Sequence, residues 1–174
     1  MKITNISKMP FYYDRYIQNL GDVTLFEALD NFGIDALNSL KNQFHTLGNQ
    51  VYAPGKWTVK DILQHIIDGE RIFSYRALCI ARNDKTHFPE YDENAYANEA
   101  STTNRTIDEL VEEFTFLRKS SICLFKSLDE TQLLRTGICA NKEISVLAIG
   151  FVLAGHFHHH ISVIQEKYLP LLNK

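Results

Sequence analysis

The chain has 174 residues, 45% of them hydrophobic and 22% charged, enough apolar material for one globular domain spanning residues 1–174. A formal charge of -3 without any Lys/Arg cluster argues against a nucleic-acid or anionic-membrane partner. Cys79, Cys123 and Cys139 are odd in number and form no CxxC pair, so they read as reduced packing cysteines rather than a disulfide framework or thiolate zinc site.

The N-terminal arm MKITNISKMPFYYDRYIQNL is aromatic-rich and irregular and lacks the apolar stretch of a signal peptide, which with the cysteines points to the cytoplasm. Leu25, Leu29, Phe32, Ala36, Leu37, Leu40, Phe44 and Leu47 then recur at helical spacing, predicting one continuous helix that ends at Gly48. After the turn YAPGKW, Thr58 and Asp61 form a capping-box pair that opens helix two, whose apolar stripe runs Val59, Ile62, Ile66, Phe73, Ala77, Ile80.

Residues 83–104, with Pro89 and little periodicity, make a connection of about 20 residues where bundle helices are usually joined by ~2 to 8. Thr106 and Glu109 open helix three, with the stripe Ile107, Leu110, Val111, Phe114, Leu117, Leu124, Leu128. A polar stretch containing Gly137 leads to helix four, expected over 145–168 and stopped by Pro170. The run from Ile144 to Gly155 is apolar apart from Ser145 but too short to span a bilayer. No segment alternates as a strand should, so the expected class is all-α, a four-helix bundle.

Chemistry concentrates on helix four. Its core stripe reads Val146, Ile149, Leu153, His156, His160, Ile164, so two imidazoles one turn apart occupy positions that ask for aliphatics. Burying an unpartnered polar group costs about 1 to 3 kcal/mol, so the pair needs partners. A divalent metal supplies them, because neutral imidazole binds zinc, nickel, copper or iron well and one ion gathers several ligands. His65, beside Ile66 at the margin of the helix-two stripe, is the natural third ligand, although a lone histidine on an apolar face is more often a hydrogen-bonded core residue.

Gly69 would leave room beside His65. Glu70 is a candidate inward carboxylate, either orienting the ligands or serving as a fourth. His159 shares an arc with the pair and can orient it or a substrate, while His158 points to the opposite side and should face solvent. At ~1.5 Å rise per residue, the three histidines align best if helices two and four are antiparallel. That requires up-down-down-up connectivity with its crossover at the long loop. The HExxH of zincins is absent.

The segments YAPGKWTVKDILQHIIDGERIFSYRALCIARND, PEYDENAY and AGHFHHHISVIQEKYL together resemble the DinB/YfiT-like superfamily of metal-dependent enzymes over most of the chain. The resemblance implies an up-down-down-up four-helix bundle, a zinc or nickel site whose ligands fall on His65, His156 and His160, and a homodimer. It does not imply DNA binding. Three histidines leave coordination positions free, the mark of a reactive site.

Such a site can acidify a water for hydrolysis or deprotonate a thiol for attack on an electrophile. Relatives that act with low-molecular-weight thiols such as bacillithiol or mycothiol place thiol S-transfer first and hydrolysis second. Glu70, Tyr75 or His159 would carry protons, and the long loop would cover the site. A noncatalytic metal or small-ligand binding module, and a bundle without metal, are the remaining readings.

Overall fold

The computed structural model describes residues 1–173. The arm that the sequence left irregular contains a one-turn helix, α1 (Asp14–Ile17), whose Tyr16 and Ile17 are buried against the last helix. Gly155 permits that approach: a Cβ there would lie 2.2 Å from the Tyr16 carbonyl oxygen.

The region expected as one helix is three, α2 (Leu25–Asn31), α3 (Ile34–Ser39) and α4 (Lys41–Leu47). Thr24 and Glu27 close a capping box on α2, and Gly48, at φ 54°, ends α4 as expected. The first break falls at Phe32–Gly33, where a Cβ on Gly33 would sit 2.5 Å from the Leu29 carbonyl and 3.3 Å from Nη1 of Arg118. Carbonyls freed by the break are taken up by that same guanidinium, so a distant residue compensates the lost helical hydrogen bonds.

The Thr58–Asp61 box opens α5 (Val59–Ala81). The long connection that follows carries α6 (Glu93–Glu99), capped by Asp92. The Thr106–Glu109 box then opens α7 (Ile107–Lys126). Gln64 meets Arg105 at 2.6 Å, Glu70 meets Arg118 and Ser74 meets Ser121 at 2.9 Å, so partners advance in the same direction along both helices.

A short α8 (Glu130–Leu134) leads into an antiparallel hairpin that the sequence reading missed, β1 (Thr136–Cys139) and β2 (Lys142–Ser145), with Cys139 opposite Lys142. Ala140 and Asn141 make its two-residue turn with φ of 52° and 60°, the doubly left-handed geometry that suits the twist of paired strands. Its signal is hidden because alanine, not asparagine or glycine, occupies the first position. Phe88 of the long connection adds to the hairpin, donating to Ile138 O and accepting from Ala140 N, both at 2.9 Å.

The last helix, α9 (Val146–Val163), is capped by Ser145 and passes into a π turn, Ile164–Tyr168, and a closing 3-10 turn that holds Pro170. The α-helix therefore ends five residues before the expected 168. Every residue from Val146 to Phe157 is buried, so this half is apolar all round and packed on all sides rather than along a stripe. With its continuation, Val146–Asn173 is long and apolar enough to cross a membrane by length and composition, but its apolar window is 72% buried inside the bundle and forms the core. Helices α5 and α9 run in opposite directions: the Tyr168 hydroxyl donates to Trp57 O ahead of α5 (2.5 Å), while Ile80 near the end of α5 lies against Gly137 ahead of α9.

Candidate metal centre

His65 on α5 and His156 and His160 on α9 come together as expected. Nε2 of His156 lies 2.9 Å from Nε2 of His65 and 3.1 Å from Nε2 of His160, and one ligand atom from each of the three falls within 4.8 Å of the others. His65 and His156 are buried and His160 is half-buried.

An unprotonated imidazole nitrogen has one lone pair and a protonated one has one N–H, so the His156 nitrogen cannot make two ordinary hydrogen bonds in its ring plane. A cation resolves the conflict by drawing one lone pair from each ring. With zinc–nitrogen bonds of ~2.0 to 2.1 Å, adjacent nitrogens stand ~2.9 Å apart in an octahedral arrangement and ~3.4 Å apart in a tetrahedral one. Both close separations here lie in that range, and the three residues are grouped so that they could hold one divalent ion.

The protonation state is right for ligation. Burial disfavours the charged form of all three rings, lowering His65 to about 4 and His160 to about 3, with the other imidazoles adding to the effect. Burial depresses His156 strongly as well, helped by His160, His65, His159 and Arg118. All three are neutral at pH 7, with lone pairs available.

Packing holds the rings in place. The Trp57 ring lies 5.0 Å from that of His65, and Tyr16, brought in by the α1 arm, stands edge-on to His156 at 5.5 Å. Gly69 makes room for His156 rather than for His65: a Cβ there would lie 3.1 Å from Cε1 and 3.4 Å from Nδ1 of the His156 ring.

The remaining candidates are placed differently. Glu70 is buried as expected, but its two oxygens accept from Nε and Nη2 of Arg118, each at 3.0 Å, and no histidine nitrogen is among its partners in the described residues. Acting as a ligand or proton carrier would require Glu70 to leave that guanidinium. His159 is exposed, with its ring 5.0 Å from His160 and 5.5 Å from Tyr16, so it stands at the rim of the cluster. His158, expected to face solvent, is half-buried against Phe32 at 4.5 Å, because the break before Gly33 turns that ring toward α9. Tyr75 is 61% exposed and packs on Phe88, away from the cluster.

Two cavities reach the centre from different sides. One, of about 340 Å³, ends at His156 and is walled by Tyr13, Tyr16, Phe73, Arg76 and Tyr91. The other, of about 290 Å³, ends at His160 and is walled by Tyr52, Trp57, Ile62 and Tyr168. The long connection supplies Tyr91 to the first and Asn94 to the second, which places it over the site as expected. The tyrosines of the arm and Arg76 were not identified from sequence; the aromatic density of residues 11–16 was the available signal.

The family model of the DinB superfamily matches residues 36–164, a span that includes all three histidines. No curated protein matches the chain. Among solved structures, YfiT from Bacillus subtilis, described as a probable metal-dependent hydrolase with an unusual four-helix bundle topology, aligns at a TM-score of 0.67. It covers 82% of this chain and 87% of that one at 18% identity, a likeness of fold.

Proposed function

The chain belongs to the DinB superfamily, and from that premise we propose that it is a metal-dependent enzyme in which His65, His156 and His160 hold one zinc or nickel ion and a small thiol is transferred to an electrophile. The observation that carries the reading is the convergence of three neutral imidazole nitrogens at 2.9 and 3.1 Å on a point that two cavities approach. When bound, the ion supplies Lewis acidity that lowers the pKa of a thiol or water in its open position.

Everything else falls to the protein. His65, His156 and His160 stay unprotonated and rigid because burial and ring packing hold them so. Trp57 and Tyr168 on one side, and Tyr16 and Phe73 on the other, exclude water and offer apolar walls to two reactants. His159, at the rim beside His160, is placed to take up a proton and pass it to solvent; burial and the nearby Arg15 lower its pKa, which keeps it a neutral acceptor at pH 7.

Two cavities favour a two-substrate transfer. Hydrolysis is the second reading, favoured by the description of YfiT as a probable metal-dependent hydrolase. Cys79, Cys123 and Cys139 are free, in keeping with a reducing compartment, and we place the enzyme in the cytoplasm as a homodimer. Sedimentation velocity checks the dimer.

A panel of low-molecular-weight thiols assayed against a generic electrophile, with and without zinc or nickel, tests the function. Thiol transfer predicts metal-dependent turnover that His160→Ala abolishes while the fold survives. Turnover only of esters or amides would install the hydrolase in its place. Metal affinity without any rate enhancement would leave a binding module.

A further inference from the structure

Arg76 and Arg118 are the two buried arginines among the described residues, and only Arg118 has its charge balanced. Arg76 is 4% exposed. It donates from Nη2 to the Pro89 carbonyl at 2.7 Å and stacks over Phe73 at 5.6 Å. No described carboxylate stands within salt-bridge distance of it.

The titratable groups around Arg76 do not supply the missing charge. Burial pushes the Tyr13 and Tyr91 hydroxyls up and the Cys139 thiol to about 11, against the pull of the guanidinium, so all three remain neutral at pH 7. The acids of the cavity, Glu90, Asp92 and Glu93, are exposed at its mouth. Glu90 faces Lys142 at 3.7 Å, and Asp92 caps α6. A buried, unpaired cation is costly, and one opening onto a cavity is a ready anion receptor.

We propose that Arg76 anchors an anion subsite in the tyrosine-walled cavity, and that this centre acts on a small organic molecule carrying one carboxylate at one end and its reacting group at the other. The proposal rests on the reading of the histidine cluster as an enzyme site. Arg76 follows Gly69, which touches His156, by two helical turns, so the subsite lies about 10 Å along α5 from the level of the His156 ring. Phe73 fills the interval, with its ring centre 6.3 Å from that of His156, and offers a flat apolar surface to the body of the ligand. A cavity of about 340 Å³ suits a small molecule, and the exposed acids at the mouth select against polyanions.

Isothermal titration calorimetry with 4-phenylbutyrate and its neutral amide, on metal-free and zinc-loaded protein, tests the subsite in wild type, Arg76→Lys and Arg76→Gln. The acid should bind at least ten-fold tighter than the amide even without metal. That preference should shrink in Arg76→Lys and fall within two-fold in Arg76→Gln. A preference that persists in Arg76→Gln overturns the proposal. One seen only in zinc-loaded protein also overturns it, since the carboxylate would then sit on the metal, and leaves the metal reading standing.

Conversely, an Arg76-dependent preference in a protein that takes up no metal would sustain the subsite and sink the enzyme reading. Should Arg76→Gln not fold, the Nε–H resonance of Arg76 in wild-type protein decides the matter. It should move with the acid and not with the amide, and an unmoved resonance overturns the subsite.

Discussion

Two polar clusters are buried between the same helices, and they differ in whether they close on themselves. At the first, Arg118 directs all five of its N–H donors to acceptors: both oxygens of Glu70 and the carbonyls of Leu29, Phe32 and Leu153. It ties α5, α7, α9 and the broken α2–α3 segment together and leaves nothing for a ligand. At the second, Nε2 of His156 stands within hydrogen-bond distance of two other imidazole nitrogens, and its single lone pair or single proton cannot serve both in the ring plane. A closed cluster fixes the scaffold, and an open one asks for a cation.

The largest effect expected from this contrast is at the closed cluster. Arg118→Met leaves Glu70 as an uncompensated buried charge and orphans three carbonyls, so urea unfolding should show a loss of about 3 to 5 kcal/mol. Metal loading should recover only the part that ligand binding contributes. His156→Leu, at the open cluster, should do the reverse. The metal-free protein should stay within about 1.5 kcal/mol of wild type, or gain, because an aliphatic replaces a buried ring that lacks proper partners, while zinc no longer raises the melting temperature.

The next effect is on pH. His65 and His160 have folded-state pKa values depressed to about 4 and about 3 from an unfolded value of 6.5. The unfolded chain therefore binds more protons than the folded one below pH 6.5. The stability contributed by keeping these rings neutral is present in full above pH 6.5 and is lost as pH falls toward 4 and then 3. The urea unfolding free energy of metal-free protein, measured at pH 7.5, 5.5 and 4.5, should fall across that range by an amount on the order of 2.5 kcal/mol from His65 alone. A flat profile over that window would mean that the rings are not buried as described.

Smaller still is Gly69→Ala. The new Cβ meets the His156 ring at 3.1 Å, so zinc affinity should fall about ten-fold by competition titration even though alanine favours the helix by about 1 kcal/mol. Thr58→Ala provides the lower bound. Loss of its capping box should cost about 1 kcal/mol in stability and leave metal affinity unchanged, since the cap lies two turns from His65.

The open cluster was legible in the sequence because its cause is local. His156 and His160 interrupt an aliphatic stripe at one-turn spacing, and two capping boxes, at Thr58 and Thr106, fix the phase of the helices around them. The closed cluster was not legible. Glu70 reads as an inward carboxylate, but its partner Arg118 sits 48 positions away on a helix whose stripe does not include it.

The same long-range contact explains why the first predicted helix is broken, since the Leu29 and Phe32 carbonyls find a guanidinium in place of helical N–H groups. The hairpin escaped for a different reason. Its turn is built on Ala140 and Asn141, and one outer edge is paired by Phe88, far off in the long connection.

Metal content measures the central claim most directly. Protein prepared without nickel resin, offered zinc and dialysed to equilibrium, should retain close to one ion per chain by mass spectrometry, and His65→Ala, His156→Ala and His160→Ala should each lose it. Retention near zero in the wild type, or retention unchanged when any of the three imidazoles is removed, would contradict it.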